Sequence, residues 1–580
     1  MAEAEYARAA YSAAAPTRRP PGQPGAPDGP PGESLVKSST VMAIGTLASR
    51  VTGMLRTVVL VPALGAYALD NAYNVANTLP NTVYNLAIGG ILTSVIVPLL
   101  VNAAKRDSDR GERYTQRMFT LVTAILAAIT VVATLAADPI ATLFGCSSGT
   151  CSGSPAADDY RHVLVMFSFF FIPQIFFYGV SSLAGAVLNA RGHFAAPMWT
   201  PVINNIVVIV VTLAFMVMGG VFSGAHPAVT TITPLEVQLL GIGTTLGIVA
   251  QTVALIPFLR RVGFRWRPRF DFRRADLSEI GHMAGWMFVY ILTTQVAFFV
   301  TVKVADHANI SGQTSGIGAG ITAYTSAWML FQLPYAIVAI SVITALLPRM
   351  SANAADHRYD LVRSDFSTGV RLGSVIVAPA ALVLAVLGPA LATVLFAWGN
   401  TNLASARYFG VVFAVFSLGL IPYMLFQLLL RVFYSLHDSK TPALVGVVTM
   451  VVNVVTNLIA LAVVPRQDVA AALGVGFGLA NLAGSILAWR VLSRRLGGLA
   501  GQEIKTSLMR MHAAAIPAAI FALIVVIVVG GAFSAGKLSS ALVVVVGGAG
   551  ALLIYLLFSR LLRVTEVTDL TAMVRSRLRR

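Results

Sequence analysis

Long, almost uncharged apolar stretches recur from Lys37 to Arg560, and no other feature restricts the possible folds of this chain so strongly. The hydrocarbon core of a bilayer takes roughly 20 helical residues to cross. Backbone groups inside it find no water, so each segment must satisfy its own hydrogen bonds, as a helix does. The sequence predicts fourteen such spans: 37–61, 72–103, 114–136, 160–188, 198–219, 236–260, 279–306, 319–348, 366–387, 405–434, 442–464, 470–492, 510–531 and 538–560. Charged residues make up 11% of the 580 and the mean hydropathy is +0.78, whereas soluble chains carry about 25% charge. No stretch after Ser34 is polar enough to form a soluble domain. The expected fold class is an all-α polytopic membrane protein.

A net charge of +17 would suit a nucleic-acid partner if it covered one face of a soluble fold, but here it follows the spans. Of 41 basic residues, 34 fall in alternate connections: the N-terminal tail, Lys105–Arg117, Arg191, Arg260–Arg274, Arg349–Arg371, Arg431 with Lys440, Arg490–Arg510 and the tail from Arg560. Only Arg161, Arg407, Arg466 and Lys537 fall on the other side. Basic connections stay cytoplasmic during insertion. Both termini are therefore expected in the cytoplasm and the helix number is even. The charge is a topology signal that also favours anionic lipid headgroups, and no nucleic-acid partner is expected. Cys146 and Cys151 lie in the third connection, FGCSSGTCSGS, on the expected outer side. An oxidising exterior permits a disulfide closing this small loop. Two free thiols are the other reading; with no His beside them, a metal site is not expected.

Residues 1–34 hold seven prolines among Gly, Ala and Ser, too little apolar surface to offset ordering, so a disordered cytoplasmic tail is expected. It lacks the apolar stretch and cleavage pattern of a signal peptide. The remainder carries an internal repeat. Leu79-Pro80 and SVIVPLLVNAA in the second span match Leu333-Pro334 and SVITALLPRMSANAA in the eighth. Ile172-Pro173 and LNARGHFAAP in the fourth match Ile421-Pro422 and SLHDSKTP in the tenth. The proline pairs are 254 and 249 residues apart. Six spans separate the copies, so both insert with the same orientation. Parallel repeats imply two lobes related by a pseudo-twofold axis along the membrane normal. The expected organisation is an N-lobe of six spans over 35–260, a basic cytoplasmic linker over 261–278 and a C-lobe of six spans over 279–492. The last two helices follow in 493–560, then a basic cytoplasmic tail over 561–580.

Ionisable side chains inside spans cost about 2.5–3.5 kcal/mol each on insertion scales and by default mark functional sites. Outside the connections only Arg50, Arg56 and Lys303 remain among the basic residues. Arg50 lies near the middle of the first span. Arg56 follows about 9 Å further along the axis and ~120° round it, with Gly53 between them as a candidate hinge. Carboxylates in the spans are few, with Asp70 and Asp306 near outer ends, so an anionic ligand in a cavity is expected to balance the arginines. Capping of a broken helix's carbonyls is the structural alternative. Lys303 either contacts the ligand or pairs with Asp306 at i+3. Pro80 and Pro334, at matching repeat positions, are candidate hinges for alternating access. Asn204, Asn205 and Asn453 suit helix-to-helix bonding. No Walker-type loop, HExxH or paired intramembrane carboxylates occur, and GVGFG at 474–478 sits inside an apolar span. Neither a catalytic site nor a cofactor is expected.

The motifs TLASRVTGMLR (46–56), NTLPN (77–81), LNARGHFAAPMWTP (188–201), LLPRMS (346–351) and FYSLHDSKTP (433–442) resemble the MurJ/MviN family, lipid II flippases of the MOP exporter superfamily. The similarity runs over about 37–560. It implies fourteen helices in two lobes, plus a terminal pair that forms a groove for a lipid tail. It implies lipid II as substrate, an undecaprenyl diphosphate bearing the peptidoglycan disaccharide-pentapeptide, flipped outward across a bacterial plasma membrane. Membrane lipids, and cell-wall synthesis or division proteins reached through the tails, are the other implied partners, and the chain is expected to act as a monomer. Arg50 and Arg56 match the family's two first-helix arginines, implicated in holding the diphosphate, and Asn205 matches an Asn after the fifth-helix Pro. The chain departs from the family pattern at Thr57, Asn71 (beside Asp70), Tyr84, Asn85 and Gly89, and at Trp328, Met329 and Gln332, where many members carry charges. Headgroup contacts and the coupling ion (Na+, H+ or only the membrane potential) are left open by these departures. The Pro-rich tail and Ala/Val-rich composition look actinobacterial. Two rival readings are a MATE-like exporter, which would carry cavity carboxylates, and a non-transporting scaffold for wall synthesis.

Overall fold

The computed structural model describes residues 31–85, 100, 111–146, 151, 154–271, 274–315, 317–318, 320–338, 342, 344–534 and 536–567. The chain divides into Met1–Val41, helical from Pro31, and Met42–Arg580, which carries the membrane-spanning body. Most of the expected Pro-rich tail, the SVIVPLLVNAA segment apart from Leu100 and most of the C-terminal basic tail lie outside the described residues.

Among the described residues, regular structure is entirely helical. The order is α1 (Pro31–Leu64), α2 (Ala68–Tyr84), α3 (Glu112–Leu135), α4 (Ala137–Gly145), α5 (Pro155–Phe171), α6 (Gln174–Ala190), α7 (Ala195–Met218), α8 (Pro234–Val253), α9 (Ile256–Arg261) and α10 (Arg274–Ser315). The second half holds α11 (Ile321–Val338), α12 (Thr344–Ala355), α13 (Tyr359–Phe396), α14 (Leu403–Leu418), α15 (Leu420–Ser435), α16 (Lys440–Val463), α17 (Val469–Leu496), α18 (Gly501–Ala532), α19 (Lys537–Leu542) and α20 (Gly548–Leu561). Among the described residues eleven stretches are long and apolar enough to cross a bilayer, and α14 with α15, bent by 49°, makes a twelfth. These twelve coincide with twelve of the fourteen expected spans. The other two, around α2 and around α11 and α12, run partly outside the described residues. Helices α10 and α13 extend well beyond 279–306 and 366–387: polar turns continue α10 at both ends and α13 at its start, and α13 also runs on through the apolar segment GPALATVLF.

Helix ends follow local chemistry. Ser154 accepts from the Ala157 amide ahead of Pro155, and Thr233 with Glu236 forms a capping box ahead of Pro234. Proline at the first helical position loses no bond there. Large apolar side chains such as Leu135, Val217, Val463 and Ile527 remain exposed, a surface that suits lipid rather than water.

Helices α2 to α8 pack mainly among themselves, as do α10 to α17, and α18 to α20 lie chiefly along α13. Small residues set the close contacts, as in membrane bundles. A Cβ on Gly410 would stand 2.3 Å from Pro389 Cα, so α14 meets α13 backbone to backbone. Ala514, Ala515, Ala518 and Ala522 form the buried face of α18. Connections expected on one surface contact one another. On the basic side Arg117 pairs with Asp271 (2.6 Å), Arg191 with Glu112 (2.5 Å) and Arg349 with Asp365 (3.1 Å). On the opposite side Arg161 pairs with Asp138 (2.8 Å).

Candidate functional site

Helix α1 runs unbroken through Gly53. A Cβ there would lie 3.3 Å from Met329 Cε and 3.6 Å from Asn205 Nδ2, so the glycine lets α1 approach α7 and α11. Between these helices and α2 lies a cavity of about 250 Å³ lined by Arg50, Arg56 and Asn205. Arg50 donates to Gln332 Oε1 across to α11. Arg56 interacts with the buried Tyr73 hydroxyl, which shares a 2.7 Å hydrogen bond with Thr244. Asn205 Nδ2 donates to the Ser49 carbonyl (3.2 Å) and to Thr52 Oγ1 (3.0 Å), tying α7 to α1. Among the described residues the remaining polar wall is Asn74, Asn77, Thr57, Thr325 and Ser326, and no carboxylate lines it. Among the described residues no ion pair reaches either arginine. Two fixed positive charges thus face neutral partners only, an arrangement that favours an anion.

Lys303 is not brought to this cavity. Its ammonium donates to the Cys146 carbonyl (2.6 Å), at the expected outer end. Cys146 and Cys151 form a disulfide, Cα–Cα 5.4 Å, and Tyr160 reaches the Gly145 carbonyl beside it (3.4 Å). Asn71 Nδ2 donates to Tyr160 Oη (3.0 Å) and to the buried Asp306 (3.2 Å), while its Oδ1 accepts from the Ile321 amide (3.2 Å). Pro80 and Pro334 lie inside α2 and α11, both of which help wall the arginine cavity. Asn453 joins α16 to α10: its Oδ1 accepts from Thr301 Oγ1 (3.5 Å) and from Asn457 of its own helix (3.1 Å), which also donates to Thr301 (2.9 Å).

A second cavity, about 520 Å³, shares Thr325 and Trp328 with the first and, among the described residues, has no Lys, Arg, Asp or Glu in its wall. Threonines, amides and aromatic rings from α2, α10, α11, α15, α16 and α17 line it. Reading the sequence for charged groups misses this chamber. One signal was present: Asn71, Asn74, Asn77, Asn81 and Asn85 recur every three or four residues, one face of a helix. Asn74 and Asn77 line the arginine cavity and Asn81 and Asn85 the neutral one.

Comparison with known proteins gives a consistent result. The family model described as lipid II flippase MurJ matches residues 60–546. A probable lipid II flippase MurJ of Vibrio cholerae is 27% identical over 433 residues, covering 73% of this chain and 77% of the relative. The lipid II flippase MurJ of Burkholderia cenocepacia is 25% identical, covering 75% and 80%. Among solved structures, a lipid II flippase MurJ in an inward closed conformation superposes with a TM-score of 0.68 at 17% identity, covering 90% of this chain and 99% of that one. An inward-facing MATE transporter of the MOP superfamily superposes at 0.60 and 14% identity, covering 79% and 99%; these two likenesses concern the fold. With the family model spanning most of its length, this multi-pass membrane chain belongs to the MurJ family of lipid II flippases.

Proposed function

We propose that this chain carries lipid II from the inner to the outer leaflet of a bacterial plasma membrane by alternating access, with both termini in the cytoplasm. The carrying observation is the pair Arg50 and Arg56 in one cavity that no carboxylate lines among the described residues. The diphosphate is the part of lipid II whose negative charge sits on phosphate oxygens, and guanidinium forks bind phosphate oxygens at close range. A charged headgroup crosses hydrocarbon only at high cost, so it needs a polar path but no covalent step. The chain therefore acts as a transporter rather than an enzyme.

Two lobes, the helices up to α9 and those from α10 to α17, rock about the cavity. Bonds between them at the expected outer end support a state closed to the outside. The Asn400 amide donates to the Pro62 carbonyl (2.7 Å) and its Nδ2 to the Ala63 carbonyl (2.9 Å). Asn402 donates to Tyr67 Oη (2.8 Å), and the Lys303 and Asn71 contacts complete the closure. Opening outward breaks these bonds, with Pro80 and Pro334 as the bending points and α18 with α20 beside the lipid tail. An inside-negative potential does work of about 2.3 kcal/mol per charge per 100 mV and favours outward movement of an anionic headgroup. The chain works as a monomer, with its tails free for partners in wall synthesis.

The test is complementation. Cells depleted of the native protein and supplied with an Arg50→Ala/Arg56→Ala variant, inserted at normal levels, are expected to stop growing and to accumulate lipid II. Sustained growth would favour the scaffold reading instead.

A further inference from the structure

We infer that the neutral chamber beside the arginine cavity holds the sugar portion of the headgroup, with Trp328 as stacking platform and Asn81, Gln427 and Asn481 as polar partners. This rests on the lipid II reading above. In that substrate the sugars are bonded directly to the diphosphate, so a diphosphate at Arg50 and Arg56 places them in the adjoining space. The two cavities share Thr325 and Trp328, and the neutral one is the larger, about 520 Å³ against about 250 Å³, within the range of ligand pockets.

Its chemistry matches a sugar more closely than the other parts of the substrate. A pyranose presents apolar C–H faces and a rim of hydroxyl and acetamido groups, which need an aromatic surface and neutral donors and acceptors. The Trp328 ring is held by Phe331, stacked at 5.2 Å, and by the edges of Phe477 (5.1 Å) and Tyr423 (5.8 Å). Among the described residues its indole N–H has no acceptor, although the side chain is half-buried. Asn81 and Asn481 each commit their NH2 group to a carbonyl one turn back, Asn77 and Phe477 respectively (3.2 and 2.9 Å), which leaves both amide oxygens as acceptors. A polyprenyl tail gains nothing from such groups. A peptide brings at least a terminal carboxylate, and among the described residues the chamber wall has no charged group to receive it.

The experiment measures binding of undecaprenyl diphosphate, lipid II and peptide-trimmed lipid II to the purified full chain in lipid nanodiscs. Trp328→Ala and Gln427→Leu are each expected to weaken lipid II and its trimmed form by about tenfold. For Gln427→Leu, affinity for the sugar-free diphosphate is expected to stay within about twofold, which also reports correct folding. Unchanged lipid II binding in both variants, or an equal loss for all three ligands in Gln427→Leu, overturns the inference. So does a loss that disappears once the peptide is trimmed, which would assign the chamber to peptide. If native protein binds undecaprenyl diphosphate no better than uncharged undecaprenol, the lipid II reading itself fails, and the chamber assignment with it. Failure in the variant arms alone leaves that reading standing.

Discussion

Arg50 and Arg56 meet only neutral partners, Gln332 and Tyr73, among the described residues. Hydrogen bonds to a charged group contribute about 1.5–3 kcal/mol, so Arg50→Ala and Arg56→Ala are each expected to weaken undecaprenyl diphosphate binding by about tenfold or more. Lysine at either position should restore only part of the loss, because an ammonium lacks the planar fork. Titration of the purified variants checks this, and native affinity in both alanine variants would remove the site. Sequence alone exposed these two residues because a guanidinium in an apolar helix has no cheap explanation. Trp328 stood out only as a departure from the family's charges, and its grouping with Phe477 stayed hidden because aromatic residues in an apolar span read as ordinary core. The partner of Lys303 was equally illegible: a backbone carbonyl in a loop 157 positions away carries no local signature.

At the level of elements, Gly410 and Pro389 set the spacing of α14 on α13, and backbone atoms cannot yield to a new side chain. Gly410→Val is expected to destabilise the protein by about 1–3 kcal/mol, read as a lower melting temperature in detergent; an unchanged melting temperature would show that α14 shifts freely. The turn after α20 is fastened to α13 by Glu566, which accepts from Arg371 and Ser507. Burial pushes the Glu566 carboxyl up, but hydrogen bonds from its own backbone, Arg371 and Ser507 outweigh this and leave it below the usual value. A lowered folded-state value means the contribution is present above about pH 4.3, the ordinary glutamate value, and fades as pH falls through the lowered one. Glu566→Gln should therefore be less stable than native at pH 7 and should converge with it in acid. A constant difference across that range would contradict the assignment. Most spans were readable because eighteen or more apolar residues leave little alternative to a helix across the bilayer. The bend between α14 and α15 and the short helix α4 were not, since each depends on what the chain packs against. The hinge roles of Pro80 and Pro334 concern motion, which a single arrangement does not display.

For the whole molecule, the bonds at the expected outer end hold together the two groups of helices that must separate. Lys303→Met removes the bond to the Cys146 carbonyl, and Cys146→Ser/Cys151→Ser frees the loop that presents it. Both are expected to raise the outward-open population, seen as a longer distance between spin labels placed across that surface; distances identical to native would mean the closure resides elsewhere. The family sets the expected activity, and the arginine cavity supplies a physical reason why an anionic lipid crosses here. The most direct measurement is the rate at which labelled lipid II moves between leaflets of vesicles containing the purified chain, native against Arg50→Ala/Arg56→Ala. The expected result is rapid movement with native protein and a rate near that of protein-free vesicles with the variant. Equal rates for the two proteins would contradict the role assigned to the paired guanidinium groups.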